Sequence, residues 1–246
     1  MKIIRIIVVN NYEEMSKEAA RIMASCVTLK PDSVLGLATG STPLGMYSEL
    51  INIYNKKEVN FENVKSFNLD EYYGLNKDNE QSYNYYMNEN FFKHINIKPE
   101  NINIPNGAAE NIEEECVSYE KRIKEAGGID IQVLGIGVNG HIGFNEPDVK
   151  FEAETHLVQL DEQTIESNAR FFESREEVPT SAISMGIKTI MHSRKIILLA
   201  NGKSKADAIN KALNGKITPD VPASILQLHL DVTVILDKEA ASLLDV

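Results

Sequence analysis

The sequence has few cysteines and no long apolar run, and both absences narrow the class of protein. Its only cysteines, Cys26 and Cys116, lie far apart and form no CxxC pair, which argues against a disulfide framework and a cysteine-based zinc site. No apolar stretch approaches the roughly 18 residues that a membrane-spanning helix needs. Arg5 interrupts the apolar N-terminal segment, and no small-residue cleavage site follows it. We therefore expect a cytoplasmic protein that does not contact membranes.

Basic residues are scarce as well. The chain has 25 Lys and Arg against 36 Asp and Glu, a net charge of −11. Nucleic-acid binding requires a basic face that displaces counterions, and no cluster of Lys and Arg is long enough to form one. We therefore expect no nucleic-acid partner.

Composition and length favour one folded domain. Hydrophobic residues make up 43% and charged residues 25% of the chain, as in ordinary globular proteins. A length of 246 residues allows one large α/β domain or two small ones. Since no linker, repeat or low-complexity tract divides the chain, we predict a single domain over residues 1–246.

Short β-branched runs alternate with helix-periodic segments along the chain. The predicted strands cover residues 3–10, 33–38, 64–69, 129–137, 155–160, 195–200 and 231–237. The predicted helices cover residues 12–27, 43–56, 82–93, 111–126, 162–172, 202–213 and 237–244. The alternation predicts a Rossmann-like α/β fold, with an open, mostly parallel sheet and helices on both faces. In such folds ligands bind outside the carboxyl ends of the strands.

The segment 148–182 is the most polar and least regular part of the chain. Lids come from segments with few buried contacts, so a mobile lid is one interpretation. An ordinary solvated surface segment is the other.

The loop after the second predicted strand has the features of an anion site. Gly40, Ser41 and Thr42 precede Pro43 and a helical pattern. Thr42 can cap that helix, the glycine lets the backbone approach a ligand, and the N–H groups of a helix N-terminus favour phosphate. The loop matches neither GxxxxGK[ST] nor GxGxxG, and such a junction is often purely structural.

Local positive charge is needed if a dianion is to approach so acidic a chain. Arg170 can bind phosphate oxygens with its guanidinium fork, and Lys205 can act as a point charge. Lys203 is an alternative to Lys205, since both lie at the start of the same predicted helix. Each of these could instead be a solvated surface charge.

Two carboxylates follow the third predicted strand. Asp70 and Glu71 lie directly after the segment 64–69, where a carboxylate is well placed to be a general base. In the alternative interpretation Asp70 caps a turn and Glu71 faces solvent.

The most informative segment is VNGHIGFNEPD, after the fourth predicted strand. Three glycines permit an irregular backbone, and Asn139, His141 and Glu146 share one short loop. The carboxylate of Glu146 can orient the imidazole of His141 and set its tautomer, which suits proton shuttling. The other histidines show no HxH or HExxH spacing, so no metal is expected. A purely structural histidine is the less favoured reading, given the glycines and the paired polar groups.

Five segments together resemble the glucosamine-6-phosphate deaminases of the sugar-phosphate isomerase/lactonase superfamily. They are ATGSTPLGMY, FNLDEYYGL, NGHIGFNEP, SNARFF and ILQLH, which occur in this order over essentially the whole chain. NGHIGFNEP and FNLDEY are specific to the family, whereas ATGSTP is shared across the superfamily. The resemblance implies conversion of glucosamine 6-phosphate and water to fructose 6-phosphate and ammonia, with no metal or organic cofactor.

The resemblance also implies a role for each candidate residue. Asp70 would remove the C2 proton and return a proton at C1. His141 would open the pyranose ring, aided by Glu146 and Asn139. The phosphate would be held by Gly40, Ser41, Thr42, Arg170 and Lys205.

The sequence departs from the family in ways that bear on mechanism and assembly. Family members often have Asp in place of Asn139, but we expect ring opening to persist because Glu146 remains. The allosteric hexameric members carry a longer C-terminal tail and basic residues where this chain has His156 and Val158. We therefore expect a monomer or small homo-oligomer without allosteric activation.

Two other functions remain open from the sequence. A 6-phosphogluconolactonase-like hydrolase would share the fold, but lactonases typically have an apolar run where this chain reads FNEP. A non-catalytic sugar-phosphate sensor would usually carry a DNA-binding module, and no basic helix-turn-helix segment is found here.

Overall fold

A computed structural model describes residues 4–162, 165–166, 169, 172 and 174–245. Its strands are β1 (Ile4–Val9), β2 (Val34–Leu37), β3 (Lys65–Asn68), β4 (Asp70–Tyr72), β5 (Ile102–Asn103), β6 (Ile131–Leu134), β7 (His156–Gln159), β8 (Ser181–Ser184), β9 (Lys195–Ala200) and β10 (Val232–Asp237). Seven of them form a parallel sheet in the order β1-β10-β9-β6-β2-β3-β5. The central strands β2, β6, β9 and β10 are almost wholly buried, as expected for strands covered on both faces.

The helices lie on both faces of this sheet. They are α1 (Tyr12–Leu29), α2 (Leu44–Asn55), α3 (Tyr83–Asn90), α4 (Ile112–Glu125), α5 (Ile187–Met191) and α6 (Ala206–Asn214). The chain crosses the sheet in one direction from β1 through β2 and β3 to β5, and in the opposite direction from β6 through β9 to β10. Because such crossovers are right-handed, α4 and α6 lie on the face opposite α1 and α2, which pack against each other. The predicted α/β fold is confirmed.

Local sequence explains the longest helices. Asn11 and Asn111 cap α1 and α4, since each side chain accepts a hydrogen bond from the backbone N–H three residues later. In α1 the residues Met15, Ala19 and Met23 recur at a spacing of four and are buried, so one apolar stripe faces the core.

A buried carboxylate ties together the amino ends of three central strands. Asp130, just before β6, accepts hydrogen bonds from Lys30 Nζ at 2.7 Å, from Val34 N at 2.8 Å and from Arg194. Its side chain is 7% exposed, and its partners lie just before β9 and at the start of β2. This network lies at the end of the sheet opposite the candidate site.

A second sheet, which the sequence did not predict, contains β4, β8 and β7. It is antiparallel, in the order β4-β8-β7, and it covers a small core that includes Tyr72, Phe144 and Ala182. The strand predicted at 155–160 was assigned to the main sheet, and that assignment was wrong. β7 alternates between half-buried and exposed residues, a pattern typical of an antiparallel strand with one solvated face.

Two further predictions concern segments outside the main sheet. The helix predicted at 237–244 is wrong. Only Ala241 N bonds to the carbonyl four residues earlier, whereas Ser242 N and Leu244 N bond to carbonyls three residues earlier, as in turns. The Asp237 carboxylate accepts hydrogen bonds from Gly202 N and Ala240 N. The helix predicted at 162–172 lies largely outside the described residues. The segment 148–182 contains β7 and the start of β8, and its motion as a lid stays a prediction.

The strand order creates a switch point between β2 and β6. From β2 the chain proceeds to β3 on one side, whereas from β6 it proceeds toward β9 on the other. The loops that leave these neighbouring strands diverge, and the crevice between them is the usual ligand site of an open α/β sheet. No helix within the described ranges is long and apolar enough to cross a membrane.

Candidate active site

A cavity of about 480 Å³ opens at the carboxyl ends of β2, β6 and β9. Its lining includes most of the predicted site residues, namely Gly40, Ser41, Thr42, Asp70, Asn139, His141 and Lys205. Glu146 lies behind His141 and contacts it. Arg170 is outside the described residues, so its proposed role stays a prediction.

The loop of residues 39–42 forms one end of the cavity. Gly40 has φ +96°, a left-handed conformation that favours glycine. Two tyrosine hydroxyls hold the loop from outside, since Tyr86 donates to Gly40 O at 2.7 Å and Tyr12 donates to Ser41 O at 2.9 Å. The backbone of the loop is therefore fixed before a ligand arrives.

The start of α2 differs from the prediction. Pro43 occupies the N-cap position and no side chain caps the helix, so the predicted capping role of Thr42 is wrong. The Thr42 hydroxyl instead donates to Asn201 Oδ1 at 3.3 Å. This bond links the loop after β2 to the loop after β9.

Lys205 brings a cation to the same end of the cavity. It lies in a 3-10 turn, residues 203–205, that leads into α6, and it lines the cavity together with Ser204. Lys203 is exposed and is not part of the lining. Of the two lysines considered from the sequence, the structure therefore favours Lys205.

His141, Glu146 and Asn139 form one hydrogen-bonded group. His141 Nδ1 lies 3.0 Å from Glu146 Oε2, and Asn139 Nδ2 donates to the same oxygen at 2.8 Å. Asn139 Oδ1 accepts a bond from His141 N at 3.2 Å. Because an ionised carboxylate can only accept hydrogen bonds, Nδ1 carries the hydrogen and donates to Glu146 Oε2, which leaves Nε2 as the nitrogen that can exchange protons with a ligand.

Glycine is required where this loop folds back on itself. A Cβ on Gly137 would lie 2.4 Å from Nδ1 and Cε1 of His141, well inside van der Waals contact. Gly140 has φ +89°. The motif's glycines thus allow the imidazole to lie directly against the backbone.

Asp70 faces the cavity from the second sheet. It is the first residue of β4 and is 6% exposed, and no described residue donates to its Oδ1. Burial, followed by repulsion from Glu71, raises the pKa of Asp70 to about 8. A buried carboxyl with a raised pKa is a strong candidate for a general base.

Glu71 points away from the cavity and is buried. It is 2% exposed, so the alternative that placed it in solvent is wrong. Its carboxylate accepts hydrogen bonds from the backbone N–H groups of Tyr72, Tyr83 and Asn84, each at 2.8 Å. Burial raises the pKa of Glu71 to about 7, while these three bonds act in the opposite direction.

Hydrogen bonds join the two halves of the site. Ser184 is the register partner of Asp70 in β8, and its hydroxyl accepts from Phe144 N at 3.0 Å. Asn145 Nδ2 donates to Met185 O at 2.9 Å. The loop that carries His141 is therefore fixed against the sheet that carries Asp70.

Sequence reasoning missed several residues that line the cavity. Asn201 and Ser204 follow β9, and the rule that sites lie after strands could have identified them. Tyr83 begins α3, far from any strand end along the chain, and no sequence signal pointed to it. Its ring stacks on Phe144 at 6.1 Å between centroids.

Within the described part of the chain, no group of three or more His, Cys, Asp or Glu side chains is arranged to hold a metal ion. The arrangement instead combines two acid–base groups with a backbone loop and a lysine at one end. Such a cavity can transfer protons on a small anionic molecule.

Proteins of known activity resemble this chain over nearly its whole length. A glucosamine-6-phosphate deaminase from Clostridium botulinum (strain Langeland) is 71% identical over 238 residues, which cover 97% of this chain and 98% of that protein. One from Clostridium acetobutylicum is 68% identical over 240 residues, covering 98% and 100%.

Solved structures also resemble the chain over nearly its whole length. A monomeric glucosamine-6-phosphate deaminase matches with a TM-score of 0.95 and 52% identity, over 97% of this chain and 99% of that one. The 6-phosphogluconolactonase from Trypanosoma cruzi matches with a TM-score of 0.79 but 20% identity, over 100% and 99% of the two chains, a likeness of fold alone.

A family model described as glucosamine-6-phosphate isomerases/6-phosphogluconolactonase matches residues 10–235. The chain therefore belongs to this family and, within it, to the glucosamine-6-phosphate deaminases.

Proposed function

We propose that this chain converts glucosamine 6-phosphate and water to fructose 6-phosphate and ammonia. One observation carries the proposal: Asp70 and His141 share a single cavity with the 39–42 loop, and Glu146 contacts His141 from outside that lining. The reaction needs an acid–base group for ring opening, a base for enolisation and an anion site, and this cavity supplies candidates for each. The relatives that are about 70% identical are glucosamine-6-phosphate deaminases, which supports the proposal.

Ring opening falls to His141. With Nδ1 directed at Glu146, Nε2 takes the proton of the C1 hydroxyl and delivers a proton to the ring oxygen, giving the open-chain aldehyde. Glu146 stabilises the imidazolium that forms in between. Asn139 fixes the carboxylate and adds no charge of its own.

Enolisation falls to Asp70. In its ionised form the carboxylate removes the C2 proton of the open-chain sugar, and the resulting acid returns a proton to C1. A proton passes from the C2 amino group to the C1 oxygen, which becomes a hydroxyl. The C2 carbon then bears an imine, and water adds to it and releases ammonia with formation of the C2 ketone. Burial makes Asp70 a stronger base than an ordinary aspartate.

The phosphate group occupies the end of the cavity formed by Gly40, Ser41, Thr42 and Lys205. Backbone N–H groups near the start of α2 and the lysine charge together favour a dianion. Arg170, which the sequence motif assigns to the same role, completes this part of the proposal.

Two accompanying proposals concern assembly and location. We infer a monomer or small homo-oligomer, supported by the structural relative that is described as monomeric. Light scattering coupled to size-exclusion chromatography tests this directly. A cytoplasmic location stays a prediction.

The test is a product assay on EDTA-dialysed protein with glucosamine 6-phosphate, following fructose 6-phosphate and ammonia together. Equimolar products support the proposal. Absence of both, with 6-phosphogluconolactone hydrolysed instead, would favour the lactonase alternative, and tight sugar-phosphate binding without turnover would favour the sensor.

The same assay tests whether Asp70 is the base. Asp70→Asn keeps the shape of the side chain but removes its basicity, so kcat should fall by about 10² or more, since positioned acid–base groups contribute ~10²–10⁴. Asp78→Asn, at an exposed position, is the matched control and should retain full turnover. Near-normal turnover in Asp70→Asn would remove Asp70 from the mechanism.

A further inference from the structure

We propose that Glu71 is a positioning residue of this reaction: its carboxylate fixes the start of α3 against the cavity, and its negative charge sets the pH at which Asp70 can act as base. The inference rests on the proposed function. It assigns a role to a buried carboxylate that does not line the cavity.

The carboxylate of Glu71 acts as a buried cap for α3. Oε1 accepts from Tyr83 N and Oε2 from Asn84 N, both at 2.8 Å, while Ser82 Oγ accepts from Tyr85 N at 3.0 Å. The first N–H groups of α3 are thereby satisfied by two side chains. An anion is also favoured there by the positive end of the helix dipole.

The fixed helix in turn holds two loops of the active site. From its first and second turns, Tyr86 donates to Gly40 O at 2.7 Å, and Tyr83 stacks on Phe144 with an interplanar angle of 11°. One carboxylate therefore holds the helix that touches both the 39–42 loop and the segment after His141.

The charge of Glu71 acts on Asp70 through proximity. The two residues are adjacent in β4, so their side chains leave opposite faces of the strand. Three backbone N–H donors stabilise the Glu71 anion, whereas no described residue donates to Asp70 Oδ1. Glu71 therefore ionises first, and Asp70 must lose its proton beside an existing negative charge.

Other groups near Asp70 do not reproduce this effect. Tyr47, Tyr83 and Tyr119 interact with Asp70, but burial raises the pKa of each well above the ordinary value, so they stay neutral. His141 and Lys205 line the same cavity, and positive charge on either would favour the Asp70 anion. Glu71 is thus the described negative charge that opposes ionisation of Asp70.

The experiment compares pH profiles of kcat/KM for the wild type and three variants. Glu71→Gln removes the charge. Its amide oxygen can still accept from Tyr72 N and Tyr83 N, whereas its NH₂ group cannot accept from Asn84 N. Because the charge is gone, the acid limb should move down by about one pH unit. Because Asp70 becomes a weaker base, the plateau should fall roughly threefold. Ionisations of the substrate itself are common to all the proteins and cancel in the comparison.

Two variants separate charge from architecture. Glu71→Asp keeps the charge but shortens the side chain, so it should raise KM and lower Tm while the acid limb stays at the wild-type pH. Ser82→Ala removes the other capping side chain and should lower Tm without moving the limb.

If the acid limb of the kcat/KM profile lies at the same pH in Glu71→Gln as in an active wild type, the role of Glu71 is refuted. Absence of wild-type turnover would instead refute the proposed function. If Glu71→Gln fails to fold, a ¹³C titration of the carboxyl groups in the wild type decides the matter. Asp70 titrating after Glu71 supports the inference, and Asp70 titrating before Glu71 overturns it.

Discussion

Replacing Gly137 by alanine tests whether the position of the His141 ring controls ring opening. The added Cβ would lie 2.4 Å from Nδ1 and Cε1 of His141, about 1 Å inside an ordinary van der Waals contact of ~3.5 Å. The ring must move by about that amount, and the 3.0 Å contact between Nδ1 and Glu146 Oε2 then exceeds hydrogen-bond range. Misplacement of a catalytic group by ~1 Å costs about 10²-fold in rate. We therefore expect kcat to fall by about 10².

The assay is steady-state ammonia release from glucosamine 6-phosphate, with Tm measured on the same samples. Gly135→Ala is the comparison, because a Cβ there meets no protein atom within 4 Å. Since Gly135 also lines the cavity, its effect should fall mainly on KM, and its loss of kcat should be far smaller. Both variants should fold, since neither glycine has a positive φ. If Gly137→Ala retained wild-type kcat, the contact between His141 and Glu146 would not limit the reaction.

Two further predictions concern the anion site and the buried Asp130 network at the amino ends of the central strands. Lys205→Ala should raise KM about tenfold or more, as expected for loss of a charge-assisted contact with phosphate, whereas Lys203→Ala, at an exposed position, should not; equal KM values would relocate the anion site. Asp130→Asn should lower the free energy of unfolding by about 2 kcal/mol at pH 7, and Asp231→Asn, in an exposed ion pair, by under ~1 kcal/mol. Burial raises the pKa of Asp130, but its hydrogen bonds outweigh burial and hold it below the ordinary 3.8, so this stabilisation is present above pH ~4 and is lost on acidification. Urea unfolding at pH 7 and pH 3 measures both. The effect of Asp130→Asn should be smaller at pH 3 than at pH 7, and an effect that did not decrease would contradict the reasoning.

The parallel sheet was predictable because its strands are buried on both faces. Continuous apolar runs such as KIILLA at 195–200 match β9 residue for residue, since nothing polar must be accommodated there. The second sheet escaped prediction because its strands pair over long distances along the chain. β4 covers three residues directly after β3, and its pairing with β8 is a long-range contact without a local pattern.

The candidate site was predictable to the extent that its residues follow strands. Asp70, His141 and the 39–42 loop were found in this way, and the structure brings them to one cavity. Tyr83 and the burial of Glu71 were not predictable, because both depend on where α3 docks. The capping role expected of Thr42 was wrong for a similar reason: its partner Asn201 is remote in sequence.

Because of the second sheet, the residues of the candidate active site come from two separate sheets. Asp70 belongs to the antiparallel sheet, whereas the 39–42 loop and His141 follow strands of the parallel sheet. The bonds from Phe144 N to Ser184 Oγ at 3.0 Å and from Asn145 Nδ2 to Met185 O at 2.9 Å connect the loop after His141 to the second sheet. In the proposed mechanism, substitutions in the smaller core should therefore shift Asp70 relative to the sugar while the residues proposed to bind the phosphate keep their positions, so they should change kcat more than KM.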